Sequence, residues 1–301
     1  MPSTPKFHGL WPAMLTPLDA KGRPALKEAE KLVELFVQQR LDGIYLLGST
    51  GQGPLLSPAE RQLVADCVVR AAAGRIPVMV HVGAVSTDDS VELARHASRI
   101  GAAAISSVGP IYYRVGADVV FEHFRRIGAA GELPFFVYHL SGVSSPSLGG
   151  REYVDRLLGL PNVAGMKFTD RDLYQLGLIC AYGGDRMQVF SGADELLCQA
   201  VLCGACGAIG TFYNVWGLSC RAARQKVVGG DVEAGSRFMR AFQMALDEVL
   251  ASQSIWAFLQ GAMRIKHGIE IGQCRAPLGA TDRPWKESDL ERVLALVDDA
   301  V

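Results

Sequence analysis

Eight short apolar or β-branched runs, each separated from the next by a segment of helical length, recur along this chain, and that alternation constrains the fold more than any other feature. The runs are GLWPAML, GIYLL, PVMVHV, AAISSV, PFFVYHL, VAGMKF, MQVFSG and GAIGTF. Strands alternating with helices predict an α/β fold in which a parallel sheet is covered by helices, and eight such units close into a TIM (β/α)8 barrel. The periodicity predicts helices over residues 26–39, 88–100, 117–128, 152–158, 173–182 and 196–202. Ser57-Pro58-Ala59-Glu60 reads as a capping box with proline at the first helical position, opening a helix to about residue 73. Beyond about Asn214 the strand signal stops, and helices are expected over 218–228, 232–251, 254–267 and 288–297. The expected organisation is a catalytic barrel over 1–228 and a C-terminal helical appendage over 229–301.

Composition excludes several classes of function. The chain has 301 residues and a formal net charge of -1, with no basic run or acidic tail to suggest nucleic acid or a charged membrane surface as a partner. Its apolar stretches are broken well before the roughly 18 residues that a membrane span needs. MPSTPKFHGLWPAML lacks the pattern of a signal peptide, so a soluble cytoplasmic protein is expected. Seven cysteines without a secretion signal fit reduced thiols. Cys203-Gly-Ala-Cys206 has the spacing of a zinc or redox pair but no second pair nearby, which favours apolar packing. His8, His81, His96, His123 and His267 show no ligand spacing, and no metal is expected.

In a barrel of this kind, strand ends gain meaning, because active sites lie there and in the loops that follow. The sixth run ends in VAGMKFTD, with Lys167 the sole lysine between Lys31 and Lys226. A buried ammonium is costly, so Lys167 is either solvated, paired with Asp170, or wanted as a free amine. A neutral lysine can add to a ketone, and the protonated imine then accepts the electrons of a breaking carbon–carbon bond. GSTGQGP lacks the Gly-Lys-Ser/Thr ending of a P-loop, yet Ser49 and Thr50 offer donors suited to a carboxylate. Tyr138, at the end of PFFVYHL, is either a core tyrosine or a proton shuttle beside such a lysine.

Taken in order, GSTGQGPLLSPAER, HVGAVSTDDSVELA, GPIYYRVG, FFVYHL, GMKFTDRDLYQL, SGADE and GAIGTFYN resemble the pyruvate-dependent class I aldolases that include N-acetylneuraminate lyase and dihydrodipicolinate synthase. The resemblance covers nearly the whole chain. It implies that Lys167 forms a Schiff base with a 2-keto acid, that Tyr138 transfers protons, and that Ser49 and Thr50 hold the substrate carboxylate. Tyr112 of GPIYY matches a tyrosine that reaches into a neighbouring subunit's site, which implies an oligomer, commonly a tetramer. Val143 stands where the synthase branch has an arginine, whereas Gly192-Ala193-Asp194-Glu195 reproduces a lyase motif whose carboxylates bind a polyol. Thr169, Gly210 and Thr211 also fall where that branch contacts sugar. The expected substrate is therefore a 2-keto-3-deoxy sugar acid, foremost N-acetylneuraminate, with no dissociable cofactor. A shorter aldonate, a dehydration, a synthase-like condensation and a non-catalytic sensor are the rival readings. Gln52, His139, Leu140-Ser141-Gly142 and Thr211 depart from the lyase pattern, and bear on which sugar acid fits.

Overall fold

The computed structural model describes residues 7–144, 146 and 148–301; the first six residues of the stretch read for a leader lie outside it. Each of the eight runs forms a strand: β1 (Gly9–Pro12), β2 (Ile44–Leu46), β3 (Val78–His81), β4 (Ala104–Val108), β5 (Phe135–Leu140), β6 (Val163–Thr169), β7 (Gln188–Ser191) and β8 (Gly207–Gly210). They pair in parallel in the order β1-β8-β7-β6-β5-β4-β3-β2. Between β1 and β2 the circle is closed by a bridge from Ala13 to Tyr45, with the Met14 N–H on the Tyr45 carbonyl at 2.9 Å. This is a TIM barrel.

The period of two along each strand separates two cores. Trp11, Tyr45, Phe136, Phe190 and Ile209 point inward and fill the barrel, while Phe135, Val137, Met166 and Phe168 point outward against the helices. Burying each inner aromatic contributes about 2–3 kcal/mol. Gly165 makes room for this filling, since a Cβ there would lie 2.5 Å from the Phe136 ring.

The barrel helices are α1 (Leu26–Gln38), α2 (Pro58–Ala72), α3 (Thr87–Arg99), α4 (Ala117–Gly131), α5 (Gly150–Leu158), α6 (Leu173–Gly183), α7 (Leu197–Leu202) and α8 (Tyr213–Val228). The capping box at α2 is present in both directions, with Ser57 accepting from the Glu60 N–H and Glu60 accepting from the Ser57 N–H. α9 (Val232–Ala251), α10 (Ile255–His267) and α11 (Glu287–Asp298) follow. No helix among the described residues is long and apolar enough to cross a membrane.

The largest boundary difference from expectation is at α8. α8 begins at Tyr213, five residues before the predicted start, and is kinked at Trp216. Its first residues are bulky and strand-like, but tertiary bonds override that preference. The buried Asn214 side chain donates to the Ala13 carbonyl at 2.8 Å and accepts the Leu15 N–H at 3.2 Å, tying the helix start to the chain after β1.

Candidate active site

β5 and β6 set Tyr138 directly opposite Lys167 in the parallel ladder, and both side chains point into the barrel. Lys167 is 5 % exposed, so it is no solvated strand end. Among the described residues it forms no ion pair; Asp170 instead faces His139 Nε2 at 3.8 Å. The Lys167 amine lies 4.3 Å from the centre of the Tyr138 ring and 4.4 Å from that of Tyr45.

Tyr45 and His81 were not singled out in the sequence, since an aromatic within a strand run reads as core. With Tyr138 they form a triangle of edge-on or tilted rings, 6.0–6.2 Å between centres, directly beside the amine. The Tyr45 hydroxyl donates to Ser106 Oγ at 3.1 Å, and burial pushes its phenol well above the usual range. His81 Nε2 accepts the Val108 N–H at 3.2 Å, so the ring proton sits on Nδ1. Burial, then the charges of Arg61 and Lys167, keep this imidazole neutral by lowering its pKa well below the ordinary value. Arg61, itself buried, donates to the carbonyls of His81 at 2.7 Å and Gly83 at 3.0 Å.

Hydroxyls gather at the barrel mouth. Thr50 and Thr211 share a hydrogen bond of 2.7 Å across the barrel mouth, and Ser49 beside them is exposed. Thr169 Oγ1 is buried without a partner among the described residues. It lies against Gly192, where a Cβ would stand 1.8 Å from that oxygen and 3.0 Å from Lys167 Cε. A cavity of about 460 Å³ opens here, lined by Thr169, Gly192, Asp194, Glu195 and Thr211 among others. A larger hollow of about 630 Å³ lies between α10 and residues 273–285 and touches none of these groups, so chemistry rather than size locates the candidate site.

The two carboxylates of the Gly-x-Asp-Glu motif differ in setting. Asp194 is buried, and its oxygens accept the backbone N–H groups of Thr211 at 3.2 Å and Phe212 at 2.7 Å, next to the start of α8. Gly210 is required there, because a Cβ would lie 2.2 Å from Asp194 Oδ1. Burial raises the Asp194 pKa to about 7, against the opposing pull of those amides. Between about pH 4 and 7 the folded state therefore holds a proton that the unfolded chain has released. Stability from this group is present in full below about pH 4 and is lost as pH rises through about 7, a change on the order of a few kcal/mol. Denaturation midpoints of the wild type should fall relative to Asp194→Asn between pH 4 and 8; a constant difference would contradict the assignment. Glu195 sits at the rim and accepts from Arg171 Nε at 2.9 Å.

The departures from the lyase pattern separate by position. Leu140, Ser141 and Thr211 line the cavity. His139 points outward, stacked on Phe168 at 4.6 Å and held neutral by burial, which lowers its pKa to about 4. Gln52 is also turned away, its Oε1 accepting the Arg275 N–H at 2.6 Å. Tyr112 stands apart on the loop after β4, 77 % exposed and edge-on to Tyr113 at 5.1 Å. Cys206 donates its thiol to the Val189 carbonyl, and burial pushes its pKa up to about 12, away from thiolate chemistry.

A model of the dihydrodipicolinate synthetase family matches residues 6–295. The chain belongs to this family. Within it, the chain is 31% identical over 280 residues to the N-acetylneuraminate lyases of Escherichia coli (strain SMS-3-5 / SECEC) and Citrobacter koseri, covering 93% of this chain and 93% of each relative. Among solved structures it is similar to the wild-type sialic acid aldolase of Ruminococcus gnavus, with a TM-score of 0.91 and 25% identity over 98% of both chains. Proteus mirabilis N-acetylneuraminate lyase superposes with a TM-score of 0.86 at 30% identity, covering 98% of this chain and 99% of that one.

Proposed function

We propose that this family member is a Schiff-base aldolase that cleaves N-acetylneuraminate to N-acetylmannosamine and pyruvate. The carrying observation is the Lys167 amine, buried between the rings of Tyr45 and Tyr138 with no counter-ion among the described residues. The lyase relatives at 31% identity supply the substrate class.

In this reading Lys167 Nζ adds to the C2 ketone and water leaves, giving a protonated imine. Ser49 and Thr50 hold the C1 carboxylate, with Thr50 oriented by Thr211. As the C3–C4 bond breaks, its electrons pass to the imine and form an enamine, while the Tyr138 hydroxyl takes the C4 hydroxyl proton and passes its own to the substrate carboxylate. Protonation of the enamine and hydrolysis release pyruvate. The Thr169 hydroxyl, without a partner among the described residues, faces the sugar, Gly192 and Gly210 leave room for Thr169 and Asp194, and the free lone pairs of Asp194 and Glu195 take the distal hydroxyls. The lysine itself is the electrophile carrier, so the reading needs no metal or dissociable cofactor.

Tyr112, exposed in the single chain, supports a homotetramer in which it enters a neighbour's site. The proposed setting is the cytoplasm, and the proposed division is a catalytic barrel over 1–228 with a helical extension over 229–301.

Borohydride reduction in the presence of N-acetylneuraminate, with peptide mass mapping, tests the reading directly. A pyruvate-sized adduct on Lys167 is expected. Its absence with N-acetylneuraminate, together with an adduct from a shorter 2-keto-3-deoxy aldonate, would reassign the substrate; no adduct with any of them would remove the lysine from the chemistry.

A further inference from the structure

The loop carrying Ser49 and Thr50 is held by a residue far along the chain. Its backbone is strained at both ends, with Leu47 at φ 62° and Gln52 at φ 56°, left-handed conformations that persist where the surroundings over-determine them. The turn is also tight, since a Cβ on Gly53 would lie 1.9 Å from the Leu47 carbonyl oxygen. What fixes it is Arg275, which lies between α10 and α11 and is 223 residues distant from Gln52. The Arg275 backbone N–H donates to the buried Gln52 Oε1 at 2.6 Å. Its guanidinium forks onto Glu60 at 2.8 and 2.9 Å, and also donates to the carbonyls of Leu55 at 2.9 Å and Gly22. Glu60 is the capping-box residue of α2, and the arginine holds its carboxyl down at about 2, so the pair stays charged at any working pH. One side chain from the C-terminal extension thus binds the loop after β1, the turn after β2 and the start of α2.

We propose that Arg275 is a positioning residue for substrate-carboxylate recognition, acting through Gln52 and Glu60 to fix Ser49 and Thr50 over Lys167. This rests on the reading that those two hydroxyls take the carboxylate of a 2-keto acid. The extension is then part of the substrate-binding apparatus. Gln52, a departure from the lyase pattern, serves this loop rather than sugar choice.

The test is borohydride trapping of pyruvate on the full-length protein, read as the pyruvate concentration that half-saturates Lys167 modification, with thermal midpoints measured in parallel. Gln52→Leu removes the acceptor for the Arg275 N–H, Gln52→Glu keeps one, and Arg275→Lys loses the fork that a guanidinium alone provides. Gln52→Leu and Arg275→Lys should raise the half-saturating concentration about tenfold or more, with the saturated trapping rate within about twofold of the wild type. Gln52→Glu should stay near the wild type. Unchanged half-saturation in Gln52→Leu would overturn the proposal, as would equal shifts in the Leu and Glu variants. Should Arg275→Lys fail to fold, Glu60→Gln, which removes the charge that the fork binds, takes its place with the same rise expected, and unchanged half-saturation there would overturn the proposal. A wild type that traps no pyruvate on Lys167 would overturn the aldolase reading itself, whereas wild-type trapping with unshifted variants would remove only the role of Arg275.

Discussion

Lys167→Ala is expected to lower turnover of N-acetylneuraminate by at least about 10⁴-fold, the scale on which loss of a covalent nucleophile is felt in other enzymes. Among the described residues lining the cavity there is no lysine to replace it, and the hydroxyls and carboxylates there cannot form an imine. The fold should survive, because the substitution takes out of the interior a buried amine that has no counter-ion among the described residues, and leaves the β5–β6 ladder untouched. Circular dichroism and the thermal midpoint check the fold, and pyruvate release checks the rate. Residual activity within about tenfold of the wild type would remove Lys167 from the mechanism.

The second large effect is expected from Tyr138→Phe. Its ring is 4 % exposed and packs edge-on to Tyr45 and His81, and phenylalanine preserves all of that contact together with the ring face beneath the lysine amine. Only the hydroxyl is lost. If that oxygen takes the C4 proton, kcat should fall by about 10²–10⁴-fold while KM changes little. Borohydride trapping of pyruvate should remain, because imine formation from a ketone does not require cleavage of C3–C4. An unchanged kcat would make Tyr138 a packing residue and leave the proton transfer to another group.

Much of this molecule was legible in the residues. The number of strands, their parallel sense and the helices between them follow from periodicity, which is a local property of each segment. The candidates at strand ends were also legible, because a lysine closing an apolar run conflicts with burial unless something requires it. Lys167, Tyr138, Thr50, Thr169 and Thr211 do converge at one end of the barrel.

Other parts of the site were not legible, for reasons that differ between residues. Tyr45 in GIYLL and His81 in PVMVHV look like ordinary strand residues, and their relation to Lys167 arises only when strands distant in sequence are brought together by barrel closure. Asp194 was recognisable as an acid of the Gly-x-Asp-Glu motif, but the Thr211 and Phe212 amides it binds lie just ahead of a helix that starts earlier than its own sequence suggests. Gln52 had the position of a specificity residue, and its partner is an arginine in a segment that no local pattern connects to it.

The alternation of strand and helix, the count of eight and the residue types at the strand ends follow from the residues alone, because side-chain period and capping chemistry act within a few residues. The tertiary structure alone decided which of those ends face one another, which are buried, and which polar atoms are already satisfied. Those properties depend on closure of the sheet and on packing between segments hundreds of residues apart, and no window of sequence contains them.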